Sequence, residues 1–571
     1  MASPAGQAQP TSAVSTPVKR SSAAGDAGPS RRPTGHHSPA YRRHSYGAED
    51  RVVIDPGSRV WKVGISGEAD PRAVFWAADE GDRSGAAEVW DLDLGSVAGA
   101  HGNRTEARRM VAARVERRLR EAFHRHLLVD AKSRKVVIVE NTFLPTYVKE
   151  EIASALFDNL KSPSVSFTPA SLLTLGACGR ITGLVVDIGW LETTVTPIFC
   201  SRPLNHLARS SPIGGRALHA RLRALLHHYA KYYPAPPPSR SPAPPNRTPV
   251  TPVPLGVLTD RLVERVLTEA CFAAPEAAPA AAAAPSDASG TADLFEPLPE
   301  IDDTALMQTL RDRYVGAAGP TKDWTLTIPS ARGVGPGSYL VVPGWLRARA
   351  ADILFGDGPA EDESVTEQVI GTLLKLPVDL RAELASSVVV CGGIASLPGV
   401  VPRLRDDLLQ QISQAPAPLG PDTTATTAAW RSRASNPKTS LHGLETRLAI
   451  LNDPSPLDGR ASTKGGTAPR WSPSLLPWIG GSLAGAVKAV APELIREDYD
   501  QLMSDQVERS EVYQAALEQE RNGIPAPSVG LDLDELRPGM ATMALVDRRK
   551  RGWAPGGVVP DWTTNGMRAS V

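Results

Sequence analysis

Short runs of β-branched and apolar residues, each bounded by glycine, proline or charge, recur along the chain. They fall at Val52–Ile54, Lys62–Ser66, Val136–Glu140, Gly183–Ile188, Thr193–Phe199 and Ser387–Cys391, and they predict strands. Longer stretches with apolar residues three and four apart predict helices over Thr105–Leu127, Tyr147–Leu160, Ile213–Tyr232, Leu255–Phe272 and Leu397–Ile412. Strands interleaved with helices imply an α/β architecture with mixed sheets. The first two runs flank Asp55-Pro56-Gly57, which suits an antiparallel hairpin rather than a crossover.

Other segments have no such period. Residues 1–48 are rich in Ser, Pro, Gly and Ala, with the basic pairs Arg31-Arg32 and Arg42-Arg43, and are expected to be a disordered tail. Low-complexity tracts near 233–254, 273–290, 416–434 and 452–473 each sit between patterned segments, so they are expected to be loop insertions into one fold. No repeat of solenoid period is visible.

Composition narrows the picture. Of 571 residues, 42% are hydrophobic, enough for one large two-lobed core, but 52 prolines place much of the chain outside it. Lys plus Arg and Asp plus Glu both number 62, so no overall field draws the chain to nucleic acid or an anionic membrane. No apolar run approaches the roughly 20 residues of a membrane helix, which suggests a soluble intracellular protein. Cys178, Cys200, Cys271 and Cys391 lack any paired spacing, and three of them lie in apolar runs, as buried free thiols would. The arginines Arg108, Arg109, Arg114, Arg117 and Arg118 alternate with Glu106 and Glu116, as on a solvated helix face. His227-His228 has no third ligand at metal spacing.

Three glycine-acid clusters carry candidate chemistry. The first runs from Val52 through Asp55-Pro56-Gly57-Ser58-Arg59 to Lys62, a strand, tight turn and strand. Such a hairpin aims backbone N–H groups at an anion, its acid can hold a metal's water shell, and its lysine reaches phosphates. Alone it is also an ordinary turn. The second, Leu184-Val185-Val186-Asp187-Ile188-Gly189, repeats strand-Asp-x-Gly, and the third, Val388-Val389-Val390-Cys391-Gly392-Gly393, ends a strand in paired glycines that let backbone approach a flat ligand. The ordered set is far more specific than any member.

These clusters and their flanks resemble the actin family. Gly67 to Phe75, with Pro71-Arg72-Ala73-Val74, is similar to the run after the first phosphate loop of actins; Gly176 to Gly183 resembles the run before the second. Cys391 to Gly399 resembles the adenosine motif, and Trp478-Ile479-Gly480-Gly481-Ser482 with Asp498-Tyr499 resembles the C-terminal region. The resemblance implies an actin-like bilobal α/β fold, two ribonuclease-H-like domains around a nucleotide cleft. The first lobe would comprise 49–185 and 475–515, the second 186–474, and 516–571 would be an extension. It implies a nucleotide site of Asp55, Gly57, Ser58, Lys62, Asp187, Gly189, Gly392 and Gly393, with Asp55 and Asp187 as magnesium carboxylates if nucleotide binds.

The departures imply a silent site. Where actins carry the acid, glycine and histidine of the second loop, this chain has Trp190, Leu191 and Thr194; the water-positioning glutamine falls near Ala170. Arg59 stands for a glycine, and the nucleotide-contacting Lys-Glu pair falls near Leu267 and Thr268. Hydrolysis needs a positioned water and a proton relay, so the expectation is no enzyme: ATP or ADP with Mg held without turnover, or no cofactor at all. Enzymes of the same superfold, such as Hsp70-like chaperones and sugar kinases, need the lost residues. The stretch Trp76–Asn103 is shorter than in actins, where it carries the loop that enters the next filament subunit. Among actin-related proteins this is most similar to the pointed-end subunit of dynactin, which implies a cytoplasmic, cytoskeletal role. Its partners would be the dynactin filament and the other pointed-end subunits, and indirectly dynein. The alternative is a nuclear actin-related subunit of a chromatin-remodelling or histone-acetyltransferase complex.

Overall fold

The computed structural model describes residues 50–77, 88–94, 104–235, 248–275, 304–317, 321–328, 337–356, 362–415, 437–453 and 471–504. The readings placed on 1–48, 416–434 and 516–571 lie outside these residues, as do most of 273–290 and 452–473 and the middle of 233–254.

The first sheet contains β1 (Val52–Pro56), β2 (Val60–Ile65), β3 (Ala73–Trp76), β4 (Val136–Glu140) and β5 (Ser164–Pro169). β1 runs antiparallel to β2 and parallel to β4, β4 runs parallel to β5, and the two-residue strand Leu494–Ile495 closes the edge beside β5. All five residues of β1 are buried, because both faces of the sheet are covered. Val52 and Ile54 join Trp61 and Val63 in one core, while Val53 points to a second, with Val137, Val139 and Trp478.

The second sheet repeats the plan. β6 (Gly183–Ile188) lies antiparallel to β7 (Thr193–Phe199) and parallel to the Val388–Cys391 strand, with β8 (Arg202–Pro203) and β9 (Arg209–Ser211) pairing to β7. Helices Gly215–Tyr229, Asp260–Ala270, Val365–Lys375 and Val400–Ser413 supply buried faces to its core. A third small sheet joins Lys231–Tyr233, Ser338–Val342 and Trp324–Ile328. Val185, Val389, Leu175 and Leu476 form an apolar seam between the two larger sheets.

Two helices from late and early in the chain cross closely. On Leu476–Val487, a Cβ at Gly480 would lie 2.0 Å from the carbonyl oxygen of Leu173 on the Ala170–Ala177 helix, so only glycine permits the approach. Trp478 donates its indole N–H to the Val53 carbonyl at 3.1 Å, anchoring the C-terminal motif under the first hairpin.

Several sequence expectations are corrected. The helix expected over Ile213–Tyr232 ends at Tyr229, and Lys231–Tyr233 continue as a strand, where two adjacent tyrosines favour extended backbone. The helix expected from Leu255 starts at Asp260, behind Thr259, whose hydroxyl accepts from the Leu262 N–H. Cys271 and Cys391 are buried, but Cys200 is exposed in the turn after β7. The arginine-rich helix, Arg104–Glu121, is not a uniformly solvated face: Arg118 is buried against Glu121, and Arg108 reaches Glu150 and Glu151 on the next helix. No helix among the described residues is long and apolar enough to cross a membrane.

Candidate functional site

Two hairpins and one strand end meet around a cavity of about 490 Å³, and all eight candidate residues, Asp55, Gly57, Ser58, Lys62, Asp187, Gly189, Gly392 and Gly393, line it. In the first hairpin the ladder sets Asp55 across from Lys62, and the Lys62 Nζ donates to Asp55 Oδ2 at 2.6 Å. In the second, Asp187 sits across from Thr194. The Gly189 N–H is spent on the Glu192 carbonyl at 3.0 Å, while the carbonyls of Gly189 and Trp190 accept from Gly215 (2.9 Å) and Arg216 (2.8 Å) at the start of the next helix.

Gly392 adopts φ +97°, and a Cβ there would lie 2.3 Å from the Ile188 carbonyl oxygen and 2.5 Å from Asp187 Oδ1. Its glycine lets the third strand's end lean directly on the second acid. At Gly393 a Cβ would meet nothing within 4 Å, so that wall is open, and Leu267, Thr268, Ser396 and Leu397 border the cavity with it.

Burial perturbs two acids of the second hairpin. Burial, then the neighbouring Asp55 charge, push Asp187 up to about 6, with Lys62 pulling the other way. Asp187 is half-buried, and the surface it retains faces the cavity. Glu192 is pushed up to about 7, mainly by burial and secondarily by Asp187, against a hydrogen bond from the Ser210 hydroxyl.

Between the hairpins the chain places its own side chains. The Arg59 guanidinium lies over the Trp190 ring, 3.9 Å from its centroid, and Arg59 Nη2 pairs with Glu264 Oε2 at 3.1 Å. The Trp190 indole N–H donates to Glu88 Oε1 at 2.6 Å, and His219 packs edge-on against the ring at 5.6 Å. Burial first, and Arg59 as well, hold His219 below the usual imidazole range, against the Asp260 carbonyl it bonds. Next along, Asp91 pairs with Arg216 at 2.8 Å and its carbonyl accepts from the Tyr147 hydroxyl. Glu88, His219, Arg216 and Glu264 were not singled out from sequence. Glu264 lies one turn before Leu267 on the same helix, and Glu88 falls within the stretch Trp76–Asn103 that was noted for its length.

A nucleotide's phosphates would lie between the two hairpin turns, and there the Arg59 guanidinium stacks on Trp190, so the chain's own side chains share that end of the cavity with the phosphate-loop residues. Asp55, the first metal carboxylate, is ion-paired to Lys62. Among the described residues no cluster of three His, Cys, Asp or Glu is placed to hold a metal. The open end at Gly393 retains space for a flat ring, while Asp55 and Asp187, the carboxylates that would hold a nucleotide's magnesium, stay on the cavity wall beside Arg59 and Trp190. Nor is a water-activating group present where the resemblance would put one: Ala170 opens a helix and Thr194 is buried in β7.

Two repeated sheets, each presenting a strand-acid-glycine hairpin to a shared cleft, define a bilobal α/β protein of the actin-fold class. The family model described as Actin matches residues 47–237 and 318–434, more than half of the chain, and the chain belongs to the actin family. Nucleotide with magnesium is the characteristic ligand of this family. The chain is similar to actin-like protein 9 of Homo sapiens, 23% identical over 378 residues, covering 63% of this chain and 75% of that protein. It is similar also to actin-related protein 4 of Oryza sativa subsp. indica, 23% identical over 420 residues, covering 64% of this chain and 87% of that one. The family match ends before the Trp478 motif, yet the structure seats that motif against β1.

Proposed function

We propose that this chain is a non-catalytic actin-related subunit whose work is structural: it contributes a fixed actin-fold surface to a larger assembly and does not turn over ATP. The observation that carries this is the Arg59–Trp190–Glu264 contact across the phosphate end of the cleft. ATP or ADP held without turnover, which the retained acids and glycines would allow, is the weaker form of the same reading.

The assembly we propose is dynactin, with the chain as its pointed-end subunit, the place of actin-related protein 10, in support of dynein-driven transport in the cytoplasm. What supports this is the stretch after β3. Residues 78–87 and 95–103 lie outside the described residues, but Glu88 to Leu94 return to the cleft, where the Val89 N–H donates to the Ser58 carbonyl at 2.9 Å. Backbone committed there is not offered to a further subunit, which suits an end cap. The nuclear reading shares the silent cleft and differs in partners.

Affinity purification of the tagged chain from its own cells, with mass spectrometry of the co-purifying proteins, separates the two. Dynactin filament and pointed-end subunits are the expected recovery. Chromatin-remodelling subunits without dynactin would replace that assignment, and protein-dependent release of phosphate from ATP would overturn the structural reading itself.

A further inference from the structure

We infer that the cleft is clasped shut by the chain's own residues, with the Arg59 guanidinium taking the bridging place that a bound nucleotide would otherwise hold between the lobes. The contacts span the two sheets at three points. Arg59, on the β1–β2 turn, reaches Trp190 in the β6–β7 turn and Glu264 on a helix of the second core. Trp190 in turn bonds Glu88, whose neighbour Val89 is tied to the first hairpin. Asp91, beside them, pairs with Arg216 at the start of the Gly215–Tyr229 helix.

The central cation is 7% exposed, so its stacking and ion pair operate in a poorly screened setting, where both are strong. Removing it leaves Glu264 facing an unfilled cleft and Trp190 without a stacking partner. The Arg59 Nε is buried with no partner. It is a donor that an anion would seek, which makes nucleotide binding the result that most directly opposes the clasp.

The inference deepens the reading of a silent cleft but can fail separately from it. A chain that binds ATP tightly, never hydrolyses it and still co-purifies with its assembly loses the clasp and keeps the function. The experiment uses the full-length protein, with thermal melting and hydrogen exchange measured with MgATP, with EDTA and with neither. For the unaltered chain, the melting temperature is expected to be the same in all three. Arg59→Gly, which restores the small residue, is expected to lower it by about 5 °C and to raise exchange selectively at 55–62 and 187–194. Arg59→Lys keeps the charge without the planar stack and is expected to fall between, which preserves the test if Arg59→Gly does not fold. A rise in melting temperature with MgATP, a fall with EDTA, or unchanged exchange at those two hairpins in both variants would overturn the clasp.

Discussion

Directly across the ladder from Asp55 stands Lys62; directly across from Asp187 stands Thr194. The two hairpins share strand, acid, glycine and return strand, and they bring their acids to one cavity. One is ion-paired to its cross-strand lysine at 2.6 Å, and the other, with no cation opposite, is pushed up to about 6 by burial and then by the first acid's charge. A repeated backbone plan therefore fixes where an acid sits and not its charge. That is decided by burial first and by the neighbouring charges second.

The largest way to break the contrast is Lys62→Met, which strips Asp55 of its partner and leaves two carboxylates facing each other. Chemical denaturation at pH 7.5 is expected to show a loss of about 4 kcal/mol; a loss under about 1 kcal/mol would mean the pair is solvated and the comparison empty. Gly392→Ala comes next, at about 3 kcal/mol, from the strained φ and the clash with Ile188 and Asp187 together. The control Gly393→Ala, with open space around its Cβ, is expected to stay within about 0.5 kcal/mol.

Asp187→Asn sharpens the contrast in the opposite direction. Between its ordinary 3.8 and about 6, the unfolded chain has released the Asp187 proton while the folded chain still holds it. Stability from this group therefore falls as pH rises through that window and then levels off. The asparagine variant should match the parent near pH 3.8 and exceed it above pH 6 by about 2 kcal/mol; an advantage that shrinks with rising pH would reverse the assignment. Glu192→Gln follows the same sign over the window from 4.5 to about 7, with a smaller gain of about 1 kcal/mol because the side chain is partly exposed.

What the sequence disclosed follows from how local each signal is. Val136–Glu140, Gly183–Ile188 and Thr193–Phe199 are strands over the residues expected, because β-branched runs closed by glycine or charge need no outside information. The eight residues that the actin resemblance assigned to a nucleotide site do line one cavity; strand-end acids and paired glycines marked three places, and only the likeness joined them. β5 was not visible. Its Ser-Val-Ser-Phe-Thr-Pro looks like loop, yet Ser166 donates to the Ala491 carbonyl at 2.7 Å and Thr168 accepts from the Ala491 N–H at 3.2 Å. Its hydroxyls become acceptable in a core only once a segment more than 300 residues later satisfies them. Arg59 raised the question of what occupies the cleft, but its partners Glu264 and Trp190 lie on other elements, and no local pattern couples them.

That dependence of β5 on Ala491, together with Trp478 beneath Val53 and Leu494–Ile495 at the sheet edge, bears on how the chain is made. A ribosome releases β1 to β5 long before the residues that seal them, so the first sheet waits, half finished and with an unpaired edge, while the entire second sheet is synthesised and can fold. The late segment from Trp478 to Ile495 sets the moment at which the first-made strands become a closed structure. Shortening the chain before residue 476 would leave its beginning, rather than its end, exposed.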